Sequence, residues 1–232
     1  MANSLLDLPS SLNSSHLDAT HFQHTPFYCE ENVYLLCKKL CSSGIAASEG
    51  SDLFVTFITN ENKQVPLWNQ KASRRADGMV LWDYHVICIQ TRKEGQPSHL
   101  VWDLDSTLPF PTPLPTYIKE TFQPSFALFS EFQRLFRIIH APTFIRSFAS
   151  DRRHMKDPSG NWNSEPPAYE SIVAEDGCVH NLNEYLDIST TEVVENVGAA
   201  NSLNAEYTEK LGVLVEENRL EEIISSLSHC HC

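Results

Sequence analysis

Basic residues are scarce in this chain. Lys and Arg number 17 against 30 Asp and Glu in 232 residues, a formal net charge of -13 at pH 7. No Lys/Arg block is long enough to follow a phosphate backbone, which argues against a nucleic-acid partner. Long apolar runs are missing too: none approaches the roughly 20 residues of a membrane span, so no membrane partner is expected. The first 25 residues have neither the basic start and apolar run of a signal peptide nor the Arg-rich bias of a transit peptide. The expectation is a soluble cytoplasmic or nuclear protein. A disulfide framework is also absent, because the seven cysteines (29, 37, 41, 88, 178, 230 and 232) form an odd set without regular spacing and read as reduced thiols. Internal repeats and sustained heptads are lacking.

What is present is one core's worth of apolar residues, 41% of the chain, suited to a single domain with tails. Residues 1–25, rich in Ser, Asn, His and Asp, are expected to be mostly disordered. Residues 26–212 are read as one catalytic domain, and 213–232 as a helical tail carrying the stripe Leu220, Ile223, Ile224 and Leu227. From Glu30 to Cys41 the apolar positions Val33, Leu36, Cys37, Leu40 and Cys41 recur at helical spacing, with Gly44 as a stop. Leu53–Thr59 and Val65–Trp68 suit a strand hairpin. Val80–Gln90 and His99–Asp105 are strand candidates joined by a turn over Arg92–Pro97. Four prolines between Leu108 and Pro115 argue against any regular element there. Tyr117–Phe122 and Phe129–Phe136 suit short helices, Arg137–His140 a strand, Pro142–Ser150 a helix or turn, Asp151–Tyr169 a long ordered loop and Asn183–Leu186 a short helix.

Three groups in this pattern suggest covalent catalysis. Cys29 stands directly before Glu30, Glu31 and the first helix, where unpaired N–H groups and the helix dipole favour a thiolate. The same N–H groups suit a developing oxyanion. If the loop between the two later strands centres on Glu94, facing residues sum to 188. His85 then lies opposite Asp103, and Asp83 opposite Asp105, with facing Cβ atoms about 4.5–5.5 Å apart. Asp103 would orient the imidazole of His85, leaving its other nitrogen for Cys29. A one-residue slip would turn the set to the opposite face.

Blander readings compete for the remaining reactive groups. Cys37, Cys41 and Cys88 lie on apolar positions and read as small buried hydrophobes. The terminal Ser228-His229-Cys230-His231-Cys232 holds metal-ligand types, but adjacent ligands on a chain end seldom close a tetrahedral site, and no metal site is expected. His154 reads as a loop residue, with a second base as the alternative.

The local words around these residues are long and ordered: Tyr28-Cys29-Glu30-Glu31-Asn32, Trp82-Asp83-Tyr84-His85-Val86, Asp103-Leu104-Asp105 leading to Leu108-Pro109-Phe110-Pro111, Phe148-Ala149-Ser150-Asp151-Arg152, His154-Met155-Lys156-Asp157, Gly160-Asn161-Trp162, Pro166-Pro167 and Asn181-Leu182-Asn183. From about residue 27 to 190, and more loosely to Gly212, the chain resembles the protein N-terminal glutamine amidohydrolase family, whose members deamidate N-terminal Gln in the N-degron pathway. Glu195–Asn204 matches the family poorly, and the tail after Gly212 has no counterpart. The resemblance implies an α/β fold, a compact α/β/α sandwich with a mainly antiparallel central sheet similar to the transglutaminase and papain-like cysteine hydrolases. It implies Cys29, His85 and Asp103 as the triad, proteins or peptides with a free N-terminal Gln as substrates, a monomer, and neither a metal nor an organic cofactor. Glu30, Glu31, Asp83 and Asp105 are the candidates to meet the substrate α-ammonium. A cysteine peptidase or transglutaminase-like acyl transferase would use the same triad, and a non-catalytic binding module is the alternative if Cys29 is buried and unreactive.

Overall fold

The computed structural model describes residues 18–92, 99–189, 193–194 and 208–227. The turn expected around Glu94, the segment 195–204 and the terminal residues 228–232 with Cys230 and Cys232 lie outside the described residues. So do positions 1–17 of the head expected to be disordered. Its remainder is ordered: Ala19–His21 forms a 3-10 turn capped by Asp18, and Phe22 is buried against the rings of Trp102 and Phe110. This aromatic anchor, together with His24 on Asp105 and the paired hydrogen bonds between the Thr25 backbone and the Asn32 side chain, ties this stretch to the core.

The centre is a six-stranded sheet in the order β6-β5-β4-β1-β7-β8, built from Leu53–Thr59 (β1), His85–Gln90 (β4), Leu100–Trp102 (β5), Thr112–Pro113 (β6), Leu135–His140 (β7) and Val213–Glu216 (β8). Every neighbouring pair in it is antiparallel. A second, two-stranded sheet pairs Val65–Leu67 (β2) with Val80–Trp82 (β3). All seven residues of β1 are buried, as a central strand covered on both faces requires. Val55 and Phe57 face a core shared with the helices Cys29–Ser42 (α1), Ala141–Ser147 (α3) and Leu182–Leu186 (α4). Phe54 and Ile58 face a second core built with the small sheet, Leu114–Tyr117 (α2) and Leu220–Leu227 (α5). The protein is therefore α/β, with an antiparallel sheet between two covering layers.

Several expectations change. β1 and β2 do not form a hairpin: β1 pairs with β4 and β7, and β2 with β3. The run Val80–Gln90 is two strands, because Asp83 accepts its neighbour Tyr84's N–H on Oδ1 at 3.0 Å, a local bond that competes with the ladder. The proline run contains regular structure after all. Pro113 sits on an edge strand and Pro115 in the first turn of α2, the two places where a missing N–H costs nothing. Phe129–Phe136 holds a 3-10 turn, Ser130–Phe132, and the start of β7 rather than one helix. The segment after Gly212 first adds β8 to the sheet and only then forms α5, whose Leu220, Ile223, Ile224 and Leu227 are all buried. Each such side chain contributes about 1.5–3 kcal/mol.

Candidate active site

α1 begins at Cys29 itself, with Glu30 and Glu31 in its first turn, and its N-cap Tyr28 makes no side-chain capping bond. The first N–H groups of a helix have no intrahelical acceptor, so this end is electropositive. Val33, Leu36, Cys37 and Leu40 form the buried stripe that presses α1 on the sheet. The Cys29 thiol lines a pocket of about 640 Å³ together with Phe27, Trp82, Asp83, Tyr84, Asp105 and His154.

His85 opens β4. Its Nε2 lies 3.1 Å from Asp103 Oδ1, and both residues are buried. The ladder pairs Cys88 with Trp102 and Gln90 with Leu100, so facing residues sum to 190. The expected register of 188 was two residues short. A two-residue shift keeps every side chain on its face, and Asp103, just past the end of β5, still reaches the imidazole. The indole of Trp82 stacks on the His85 ring, 5.3 Å between centroids and 18° between planes. Tyr117 donates its hydroxyl to Asp103 Oδ2 at 2.7 Å, and the Asp105 backbone N–H donates to Oδ1 at 2.9 Å. The other nitrogen of His85, Nδ1, is buried and has no hydrogen-bond partner among the described residues.

The electrostatics follow from this packing. Burial works to lower the pKa of His85, but the charge and hydrogen bond of Asp103, with Asp105 and Glu30 behind them, raise it overall. Burial works to raise the carboxyl of Asp103; His85, Tyr117 and the Asp105 N–H hold it below the usual carboxylate range. Burial pushes the Cys29 thiol well up, and Glu30 and Asp105 push further. A hydrogen bond from the Val86 backbone N–H pulls the other way, and Asp83 adds a smaller push. These pushes oppose the thiolate-favouring effect expected of the helix start.

The four acidic candidates part company. Glu31 is bound by Arg152, with Nε at 3.0 and 3.2 Å from its two oxygens and Nη2 at 3.0 Å. Arg152 also donates to the carbonyls of Pro167 and Glu170 and lies over the Tyr169 ring. Glu30 is fully buried and accepts the Tyr84 hydroxyl at 2.9 Å on Oε2. Its Oε1 is 3.4 Å from His154 Nε2, without the alignment of a hydrogen bond. Only Asp83 and Asp105 line the pocket; Asp83 is exposed, and Asp105 is met by His24 Nε2 at 2.8 Å. One donor atom each from His85, Asp103 and Asp105 lies within 4.8 Å of the others. Asp103 is engaged by His85 and Tyr117 and Asp105 by His24, so the cluster is a hydrogen-bond network around an imidazole.

Sequence reasoning did not single out Tyr117, Tyr84, Trp82, Arg152 or His24. Tyr117 follows the proline run and Arg152 lies 121 positions from its partner, so no local pattern links either to the site. The available signal was membership of the family words, which include Trp82 and Tyr84 on either side of Asp83 and Arg152 after Asp151.

The N-terminal glutamine amidase family model matches residues 24–224, so the segment after Gly212, expected to have no counterpart in the family, has one as far as residue 224. The chain is 60% identical over 211 residues to protein N-terminal glutamine amidohydrolase of Arabidopsis thaliana, covering 91% of this chain and 95% of that protein. It is 38% identical over 192 residues to the Drosophila melanogaster protein of the same name, covering 83% and 91%. With the Homo sapiens protein of that name it shares 40% over 161 residues, covering 69% and 76%. The chain belongs to the N-terminal glutamine amidase family.

Proposed function

We propose that this protein hydrolyses the side-chain amide of an N-terminal glutamine in peptides and proteins, yielding N-terminal glutamate and ammonia and so feeding the N-degron pathway. The observation that carries the reading is the buried His85–Asp103 pair next to Val86, whose N–H reaches the thiol of a pocket-lining Cys29, in a chain whose relatives are named for this activity.

In this reading Cys29 gives its proton to His85, and its sulfur attacks the Gln side-chain carbonyl carbon. The oxyanion is held by N–H groups at the start of α1. Imidazolium His85 protonates the leaving nitrogen, ammonia departs and a thioester remains. His85 then takes a proton from water as the water oxygen attacks the thioester, the C–S bond breaks, and His85 returns that proton to sulfur to regenerate the thiol. Asp103, fixed by Tyr117, orients the imidazole throughout. Neither step draws on a metal or organic cofactor. Asp83 and Asp105, on the pocket wall, are the groups to receive the α-ammonium; Glu31 is committed to Arg152. Asparagine is one methylene shorter, worth about 1–3 kcal/mol in binding alone.

The family's kinship to transglutaminase-like and papain-like hydrolases belongs to the same proposal, and the helix-borne Cys29 beside an antiparallel sheet supports it. The test is ammonia release from peptides differing only in their first residue. Gln is expected to be turned over, while Asn, N-acetyl-Gln and the Cys29→Ser variant are inert. Chain cleavage would assign the site to a peptidase, and ammonia release accompanied by cross-linking to an acyl transferase, instead of an amidohydrolase.

A further inference from the structure

The Cys29 thiol lies in an acidic setting. From α1, Glu30 Oε2 is 3.8 Å from Sγ. From the junction of β3 and β4 comes Asp83, and from beyond β5 comes Asp105, both on the pocket wall. Asp103 stands behind His85. The groups able to offset this charge are spread out: His24 on Asp105, His154 beside Glu30, His85 on Asp103, and Lys63 on the pocket wall. Tyr84 donates a neutral hydroxyl to Glu30. A thiol in such a setting keeps its proton, and a thiol is a far weaker nucleophile than a thiolate.

The amidase reading, on which this inference rests, supplies one more cation. Every substrate brings an α-ammonium four bonds from the carbon to be attacked, roughly 5 Å at full stretch. We propose that the substrate's own α-ammonium, seated against Asp83 and Asp105, is the switch that allows Cys29 to pass its proton to His85. The S–H bond breaks with its electron pair left on sulfur, an N–H bond forms on the imidazole, and the ammonium keeps all its protons. Its charge offsets the carboxylates at a distance where, in a partly enclosed pocket, Coulomb attraction is little screened. A blocked N-terminus therefore fails twice, by binding weakly and by leaving the nucleophile protonated. Free N-termini are selected in kcat as well as in KM.

The test is the rate of Cys29 alkylation by iodoacetamide at pH 7, with the modified residue located by peptide mass mapping in the full chain. Glycinamide serves as a small ammonium probe, protonated below about pH 8, and N-acetylglycinamide as its uncharged control; calorimetry sets the concentration at which glycinamide is bound. Glycinamide is expected to speed alkylation about threefold or more, the effect of a fall of about half a pKa unit in the thiol, and the control to leave it unchanged. Asp83→Asn, at an exposed position, is expected to alkylate faster than the parent without any probe and to lose most of the acceleration. An unchanged or slower rate with glycinamide bound, or no glycinamide binding, overturns the proposal. Alkylation needs no turnover, so the two readings fail separately. Ammonia release from a Gln peptide with unaccelerated alkylation removes only the switch, whereas acceleration without ammonia release removes the glutamine substrate.

Discussion

Tyr117 places its hydroxyl 2.7 Å from Asp103 Oδ2, on the oxygen that His85 does not use. Both residues are buried. The carboxylate is thus gripped from two sides, and the imidazole bonded to it is held in one orientation as a consequence.

The Tyr117→Phe variant tests this grip. It keeps the ring and its packing on Phe122 but leaves a buried carboxylate oxygen without its donor. A hydrogen bond to a charged group contributes about 1.5–3 kcal/mol. We expect kcat for ammonia release to fall about tenfold, which corresponds to ~1.4 kcal/mol, with KM nearly unchanged. A variant as active as the parent would show that Asp103 needs no second anchor.

The pH dependence of stability follows from the signs of the two shifts. His85 is raised in the folded protein, so its contribution is fully present below the unfolded value of about 6.5 and is lost as pH rises through the folded value. Asp103 is lowered, so its contribution is present above the unfolded value of about 3.9 and is lost as pH falls through the folded one. The pair stabilises most between those unfolded values. Urea midpoints of the parent and Asp103→Asn, measured from pH 3 to 9, should differ most in that window and converge on both sides. A constant difference across the range would contradict the assignment.

Arg152 and Arg153 are neighbours with opposite roles. Arg152 pairs with Glu31 where the side chains are 8% and 0% exposed, whereas Arg153 meets Asp151 with its own side chain 62% exposed. Removing one member of a buried pair costs about 3–5 kcal/mol, and an exposed pair contributes about 0–1 kcal/mol. Chemical denaturation should therefore show a large loss for Arg152→Ala and almost none for Arg153→Ala. Equal effects would refute the structural role given to Glu31.

The site was more legible in the sequence than its surroundings, for physical reasons. Period-two alternation survives a two-residue error, so His85 and Asp103 were matched from a wrong register. The strand Leu53–Thr59 and the stripe of α5 were readable because buried periodicity is local. Partnerships across the fold were not: nothing near Pro66 indicates that its strand pairs with Leu81 rather than with β1. The grip of Arg152 on Glu31 likewise depends on how α1 docks. Burial of Cys29 among carboxylates was equally hidden, since the sequence places only Glu30 beside it.

Gly212 is the position where backbone and packing both require a missing side chain. Its φ is +57°, and a Cβ built there would lie 2.0 Å from the carbonyl oxygen of Ile138 and 3.0 Å from Ile139 Cα. Both obstacles are backbone of β7, the central sheet's partner for β8, so no rotamer change relieves the clash. A Gly212→Ala chain must move β8 away from β7, exposing Val213 and Val215, which are buried in the second core. Burial of such side chains contributes about 1.5–3 kcal/mol each. We expect Tm to fall by several degrees or the protein to be recovered mainly unfolded. Because the groups proposed as catalytic lie on α1, β4 and the segment after β5, remote from β8 in strand order, residual folded protein should retain normal KM. A Tm equal to the parent's would mean that the close approach of Gly212 to Ile138 does not hold in solution.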